Sequence, residues 1–140
     1  MLFRSTNRAM YLIAVLYKDA RQDSKAIPAE TALEMATIQG AEALGLGDEI
    51  GSLEAGKKAD LVLFDTRRAE WQTLFNPVNN LVYNADGRSV HMVMVDGQIV
   101  VEDHKPLFVD EWELAQKVQG IGEDMLARAG LSFPPRWPII

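Results

Sequence analysis

The stretch VHMVMVDGQIVVED, residues 90–103, constrains the fold more than any other part of the chain. Two runs rich in β-branched residues flank Asp96-Gly97, and a two-residue turn between paired strands needs positive φ at its centre, which Asp tolerates and Gly adopts freely. The chain therefore contains a β-hairpin with Val95 opposite Gln98. Counting outward along the two strands, His91 falls opposite Glu102, and His104 lies two residues farther on the same face. A lone hairpin leaves open edges that seek partners, so other strands must join it. ADLVLFD offers one: its apolar residues 61–64 stand between Asp60 and Asp65 as a short, strongly buried strand would.

Helical patterns lie on either side. Residues 5–20 hold neither Gly nor Pro, with Leu12, Leu16 and Ala20 on one stripe and Ala9, Ile13 and Tyr17 on the next. Within them MYLIAVLY, residues 10–17, is the longest apolar run; it is far short of the ~20 residues that span a bilayer, and reads as a helix buried on most sides. A second helix starts at Pro28 or Ala29 and carries Leu33, Thr37, Gly40 and Leu44 on its apolar face. Ala32, Ala36 and Gly40 recur every four residues, leaving one side small enough for close approach. GLGDEIG ends it. A third helix opens at Asp110-x-x-Glu113, a capping-box-like start, presents Leu114, Val118, Ile121, Met125 and Ala129 at helical spacing, and stops at Gly130. The tail SFPPRWPII is expected to lie extended. Two helices, several short strands and one helix give an α/β chain whose parts are each incomplete.

Charge and cysteine content remove several classes of function. With 14 basic and 20 acidic residues the net charge is −6, and no basic block is present to follow a phosphate backbone, so nucleic acid is not an expected partner. There are no cysteines, which removes disulfides and thiolate metal sites and fits a cytoplasmic location. A membrane is not expected either.

Three motifs invite chemistry and fail on context. GSLEAGKK, residues 51–58, comes within one residue of a phosphate-binding loop: Gly51, Gly56 and Lys57 fit, and Lys58 replaces the Ser or Thr. Such a loop needs a strand before it and a helix after it, so that N–H groups and the helix dipole converge on phosphate. Here the order is reversed, and the stretch reads as a turn in which Gly56 supplies a positive φ. GLGDEIG has neither the spacing nor the preceding strand of a dinucleotide fingerprint. The cluster His91, Glu102 and His104 is geometrically conceivable as a metal site, but a cross-strand polar pair on a solvent-facing surface is the commoner outcome. Trp71, Trp112 and Trp137 read as core or interface anchors. No catalytic, cofactor-binding or metal residue is assigned.

Read as one string, ALEMATIQGAEALGLGDEIGSLEAGKKADLVLFD, residues 32–65, resembles the C-terminal region of the amidohydrolase superfamily, within the branch of cytosine deaminases, guanine deaminases and triazine chlorohydrolases. NPVNNLVYNADGRSVHMVMVDGQIVVED, residues 76–103, continues the resemblance, which covers roughly residues 3–130. In that family residues 51–58 would be the turn leaving a TIM-like barrel for a small β-sandwich. The resemblance implies a parent enzyme that holds zinc or iron through H-x-H, two further histidines and an aspartate, and whose metal-bound water attacks a ring carbon bearing an amino or halide group. This chain has no H-x-H pair, and His91 and His104 correspond to no family ligand.

The expectation is accordingly a C-terminal segment of a metal-dependent amidohydrolase acting on C–N or C–Cl bonds of a nitrogen heterocycle, inactive alone and without a cofactor of its own. Residues 1–48 are expected to be terminal barrel helices, 49–109 the C-terminal part of the sandwich, and 110–140 a closing helix and extended tail. Met1 would be an internal start, a gene-calling artefact or the opening of the second half of a split enzyme. The alternative is a non-enzymatic assembly or binding module that kept the sandwich and lost the barrel. The expected partner is a second copy of the chain, burying the first helix or pairing edge strands, or a missing N-terminal barrel segment.

Overall fold

A computed structural model describes residues 2–133 and residue 137, leaving aside the side chains of residues 2–5. Most of the tail expected to lie extended therefore falls outside the described residues. The chain divides into two compact units, Met1–Lys105 and Pro106–Ile140.

In the first unit the helix α1 runs Leu2–Arg21, with Lys18 and Arg21 in its last turn where cations suit the helix dipole. Its covered face is Asn7, Met10 and Ala14, a single stripe spaced by three and four residues. Neither stripe expected from sequence is the covered one, and the helix is not buried on most sides: Leu12, Leu16 and Tyr17 are exposed. The reason is what α1 meets. Ala14 is flat enough for the helix α2, Ala29–Ala36, to bring Ala29 and Ala32 against it, and Val82 closes the same cluster. A fully buried Val contributes about 1.5–3 kcal/mol.

The second helix, expected to run unbroken to Leu44, is two. At Thr37 the backbone leaves helical geometry with φ −121° and ψ −92° before α3, Ile38–Ala43. Thr37 Oγ1 donates to the Leu33 carbonyl at 2.7 Å, the i−4 back-bond that bends helices. Gly45, at φ +72°, then ends α3. Leu46 N donates to Ala41 O and Gly45 N to Glu42 O, both at 2.9 Å, the reciprocal pair of a Schellman stop.

The sheet has four strands in the order β1 (Leu61–Phe64), β2 (Val90–Val95), β3 (Gln98–Glu102) and β4 (Lys105–Pro106). β1 and β2 are antiparallel, as are β2 and β3. The hairpin is as expected: Asp96 and Gly97 have φ +50° and +76° and Val95 pairs with Gln98. β1 is not strongly buried, because it lies at the edge of the sheet with one neighbour, and Leu63 is 48% exposed. Its entry is clasped to the hairpin tip: Asp60 Oδ1 accepts from Asp96 N at 2.7 Å, and Ala59 O accepts from Gly97 N at 3.1 Å.

Between β1 and β2 the segment NPVNNLVYN forms one short helix, α4 (Pro77–Asn79), and a π-turn over Asn80–Asn84. Asn76 Oδ1 caps it, accepting from Val78 N and Asn79 N. Asn80 is buried, and its Nδ2 donates to Trp71 O at 3.1 Å. The turn thus places Val82 in the helical core while Trp71 packs on Phe64 of β1, ring centroids 5.5 Å apart.

In the second unit α5 runs Glu111–Ala129. Asp110 Oδ1 accepts from Trp112 N and Glu113 N, each at 2.9 Å, and Gly130 at φ +64° ends the helix, as its cap sequence predicts.

Candidate functional site

Residues 51–58 form a self-stapled turn, not a phosphate cradle. Lys57 Nζ donates to Gly47 O at 2.7 Å and to Ser52 Oγ at 2.8 Å, with Glu54 Oε1 at 3.5 Å. The Ser52 hydroxyl beside Glu54, with the Lys57 charge next in weight, holds the Glu54 carboxyl below the usual range. Lys58 Nζ meets Glu49 Oε2 at 2.9 Å. The ammonium a phosphate would need is thus occupied by the turn's own oxygens. Gly56 has φ +98° and open space around it, as the turn reading requires. Gly51 does more. It has φ +96°, and a Cβ there would lie 2.7 Å from Ala41 Cβ and 3.1 Å from Thr37 O. Its backbone rests directly on α3, a role that no local pattern in the sequence announces.

The hairpin histidines do not form the cluster conceivable from sequence. The register runs Val95 with Gln98 and Met94 with Ile99, then jumps to Val93 with Val101. Val100 is bulged out, and everything beyond it moves by one residue. His91 accordingly faces Asp103, with Nδ1 to Oδ1 3.6 Å, instead of Glu102. His104 Nδ1 donates to Val90 O at 2.7 Å, and the two imidazoles meet edge to face, centroids 5.5 Å apart. Among the described residues no group of three His, Cys, Asp or Glu side chains could hold a metal ion. Of the three tryptophans, Trp71 is a core residue, buried, whereas Trp112 and Trp137 are exposed and do not anchor a core.

Among the described residues of the first unit, two concavities stand out. One, of about 400 Å³, is lined by Asn7, Arg8, Tyr11, Tyr83, Asp86 and Arg88 among others. Its Arg88 is committed to Asp86 at 2.7 Å, and Tyr83 OH accepts from Lys18 Nζ. The other, of about 370 Å³, is an apolar groove between α1 and α2 lined by Thr6, Ala9, Met10, Ile13, Ala32, Met35 and Ala36. Ala32 and Ala36 of the small-residue series keep its floor low, so another element can approach α1 and α2 closely. Asn7, which lines the first concavity, is buried, and its Nδ2 has no hydrogen-bond partner among the described residues. An orphan amide of this kind costs about 1–3 kcal/mol. The residues lining the groove are apolar apart from Thr6, and none is titratable.

Comparison with known proteins gives this geometry a context. Residues 2–100 match the amidohydrolase family. The S-triazine hydrolase of Gordonia rubripertincta is 36% identical over 132 residues, covering 91% of this chain and 28% of that protein. The 5-methylthioadenosine/S-adenosylhomocysteine deaminase of Syntrophobacter fumaroxidans is 41% identical over 108 residues, covering 77% of this chain and 25% of that one. Among solved structures, an adenosine deaminase from Xanthomonas campestris with bound zinc superposes with a TM-score of 0.80 at 32% identity, covering 90% of this chain and 28% of that one. The chain thus spans little more than a quarter of the length of the relatives it matches. Zinc in that neighbour raises the question of a metal here, and the described residues do not fit one: two histidines share a strand surface, one has a ring nitrogen committed to a carbonyl, and no third ligand joins them.

Proposed function

Because the chain belongs to the amidohydrolase family, we propose that it is the C-terminal part of a hydrolase acting on C–N or C–Cl bonds of a nitrogen heterocycle, and that it acts only together with a barrel segment. In this reading α1–α3 are the terminal helices of a TIM-like barrel, β1–β4 the C-terminal part of a small sandwich, and α5 a closing helix. Relatives named as triazine hydrolase and as deaminases of adenosine derivatives support the reaction class. The observation that carries the reading is the open apolar groove along Ala9, Met10, Ile13, Ala32, Met35 and Ala36. An apolar surface of this kind is stabilised by a covering element. This chain's contribution is then positional: it holds the barrel segment closed, while the ligands and reacting groups belong to that segment.

Co-expression with the part of the Gordonia S-triazine hydrolase that this chain does not cover tests the reading. The expected result is a co-purifying complex that contains zinc and hydrolyses a triazine or an adenosine analogue. Ala9→Trp and Ala36→Trp, at exposed positions of the groove, should abolish co-purification while leaving helical content intact. A chain that never captures the barrel segment, or captures it equally well with the groove filled, would refute the proposal.

A further inference from the structure

We propose that α5 is a self-association element that pairs antiparallel with α5 of a second copy, about a two-fold axis near Gln119 and Gly120. The proposal rests on α5 alone and does not depend on the functional reading above.

Leu114, Val118, Ile121 and Met125 follow one another at intervals of four, three and four residues. This is the d-a-d-a seam of two heptads, narrower than the broad apolar face of a helix buried in a globular core. The four side chains are between 46% and 60% exposed. The opposite face carries its own polar contact, Gln119 Nε2 donating to Glu123 Oε1 at 2.7 Å, while at the flank of the ridge Lys117 Nζ meets Glu113 Oε1 at 2.7 Å on the exposed surface, a pair that a partner's carboxylate can share. The helix thus carries its hydrogen bonds on one side and a bare apolar ridge on the other.

The ridge is complementary to itself in one orientation. A two-fold axis that sets Val118 against Ile121 of a second copy also sets Leu114 against Met125, so each layer joins an a residue to a d residue, as antiparallel pairing requires. The flanking g positions are Lys117 and Asp124. In an antiparallel pair g meets g, and the same axis brings Lys117 of each copy beside Asp124 of the other, giving two ion pairs of opposite sign. In a parallel pair g meets e, and Lys117 would face Gly122, which offers no charge. The charges therefore select both the partner, a second copy, and its direction. A 19-residue helix gives a seam only about 28 Å long. That is small for a stable complex, and association is to be read at about 10–100 μM.

Sedimentation equilibrium on the full chain across that range, at low salt, tests this. The wild type should rise with concentration from the 15.6 kDa of one chain toward twice that mass. Lys117→Glu and Asp124→Lys each place like charges across the axis and should weaken association about tenfold or more. The double variant restores both pairs and should associate like the wild type. An equimolar mixture of the two single variants should also associate, because each then faces an opposite charge. Both positions of change lie on the exposed helix surface, and circular dichroism checks that helicity is unchanged. A wild type that stays monomeric, single variants that associate as the wild type does, or a mixture no better than its components would overturn the proposal; the second outcome would place any dimer contact elsewhere, such as on α1.

Discussion

Gly51→Ala and Gly56→Ala make a matched pair, because the two glycines have nearly the same φ, +96° and +98°, in very different surroundings. Each substitution forces an L-residue into the left-handed region, at about 1–2 kcal/mol. At Gly56 that is the whole cost, since no atom lies within 4 Å of the new Cβ. At Gly51 the Cβ would meet Ala41 Cβ at 2.7 Å, Thr37 O at 3.1 Å and Ile38 Cα at 3.3 Å. Two of these are backbone atoms of the bent helix and cannot swing aside, so the turn must lift off α3, adding about 1–3 kcal/mol. Gly51→Ala should therefore destabilise by about 2–5 kcal/mol and Gly56→Ala by about 1–2 kcal/mol. With a urea slope of about 1–3 kcal/mol per molar, the midpoints of the two variants should differ by roughly 1 M, read by far-ultraviolet circular dichroism. Ala41→Gly removes the nearest atom, and in that background Gly51→Ala should cost at least about 0.5 kcal/mol less. Equal midpoint shifts for Gly51→Ala and Gly56→Ala would show that the contact with α3 does not carry the turn.

Lys57→Met should lower stability by about 1–2 kcal/mol through loss of its bonds to Gly47 O and Ser52 Oγ. ATP should leave the melting temperature of both wild type and variant unchanged; a nucleotide-dependent rise abolished by Lys57→Met would revive the phosphate-loop reading. The Asp65 carboxyl is lowered to about 2, chiefly by its hydrogen bonds from the Arg67 side chain and backbone. A carboxylate depressed in the folded state stabilises above the unfolded value of about 3.9, and that contribution is lost as pH falls through about 2. Carboxyl titration by NMR should place Asp65 near pH 2 in the wild type and closer to 4 in Arg67→Ala; an unchanged titration in the variant would show that the ion pair does not form in solution.

What was legible in the sequence was what neighbouring residues decide. Asp96-Gly97 specifies its turn because φ at two adjacent residues is a local matter, and Asp110 and Gly130 bracket α5 for the same reason. The turn between β3 and β4 uses the same positive φ at Asp103 and His104, but without a glycine it has a much weaker signal. The break at Thr37 turns on a hydroxyl choosing a carbonyl four residues back, which most threonines in helical patterns do not force. The bulge at Val100 is likewise invisible in a run of β-branched residues, yet it alone decides that His91 faces Asp103. Which stripe of α1 is covered could not be read from α1, since Leu12 and Leu16 are as apolar as Met10. The choice was made by Ala29, Ala32 and Val82, far along the chain. The apolar groove between α1 and α2 follows from that same choice, and so its small residues were legible while its location was not.

The clasp between Asp60 and the hairpin tip has a consequence in time. The amides of Asp96 and Gly97 point at Asp60 and Ala59 only once the turn between β2 and β3 exists. That turn closes within a few residues, on a scale of about 1–10 μs. Asp60 must be brought to it across 36 residues, a closure costing about 3 kcal/mol in chain entropy beyond a constant term. The hairpin is thus the template and β1 the late arrival, anchored by two bonds at Ala59 and Asp60, just ahead of its first residue. The segment in between, with α4, the π-turn and Val82, is drawn in as β1 settles. Completion of the sheet and closure of the helical core against α1 and α2 are for that reason one event.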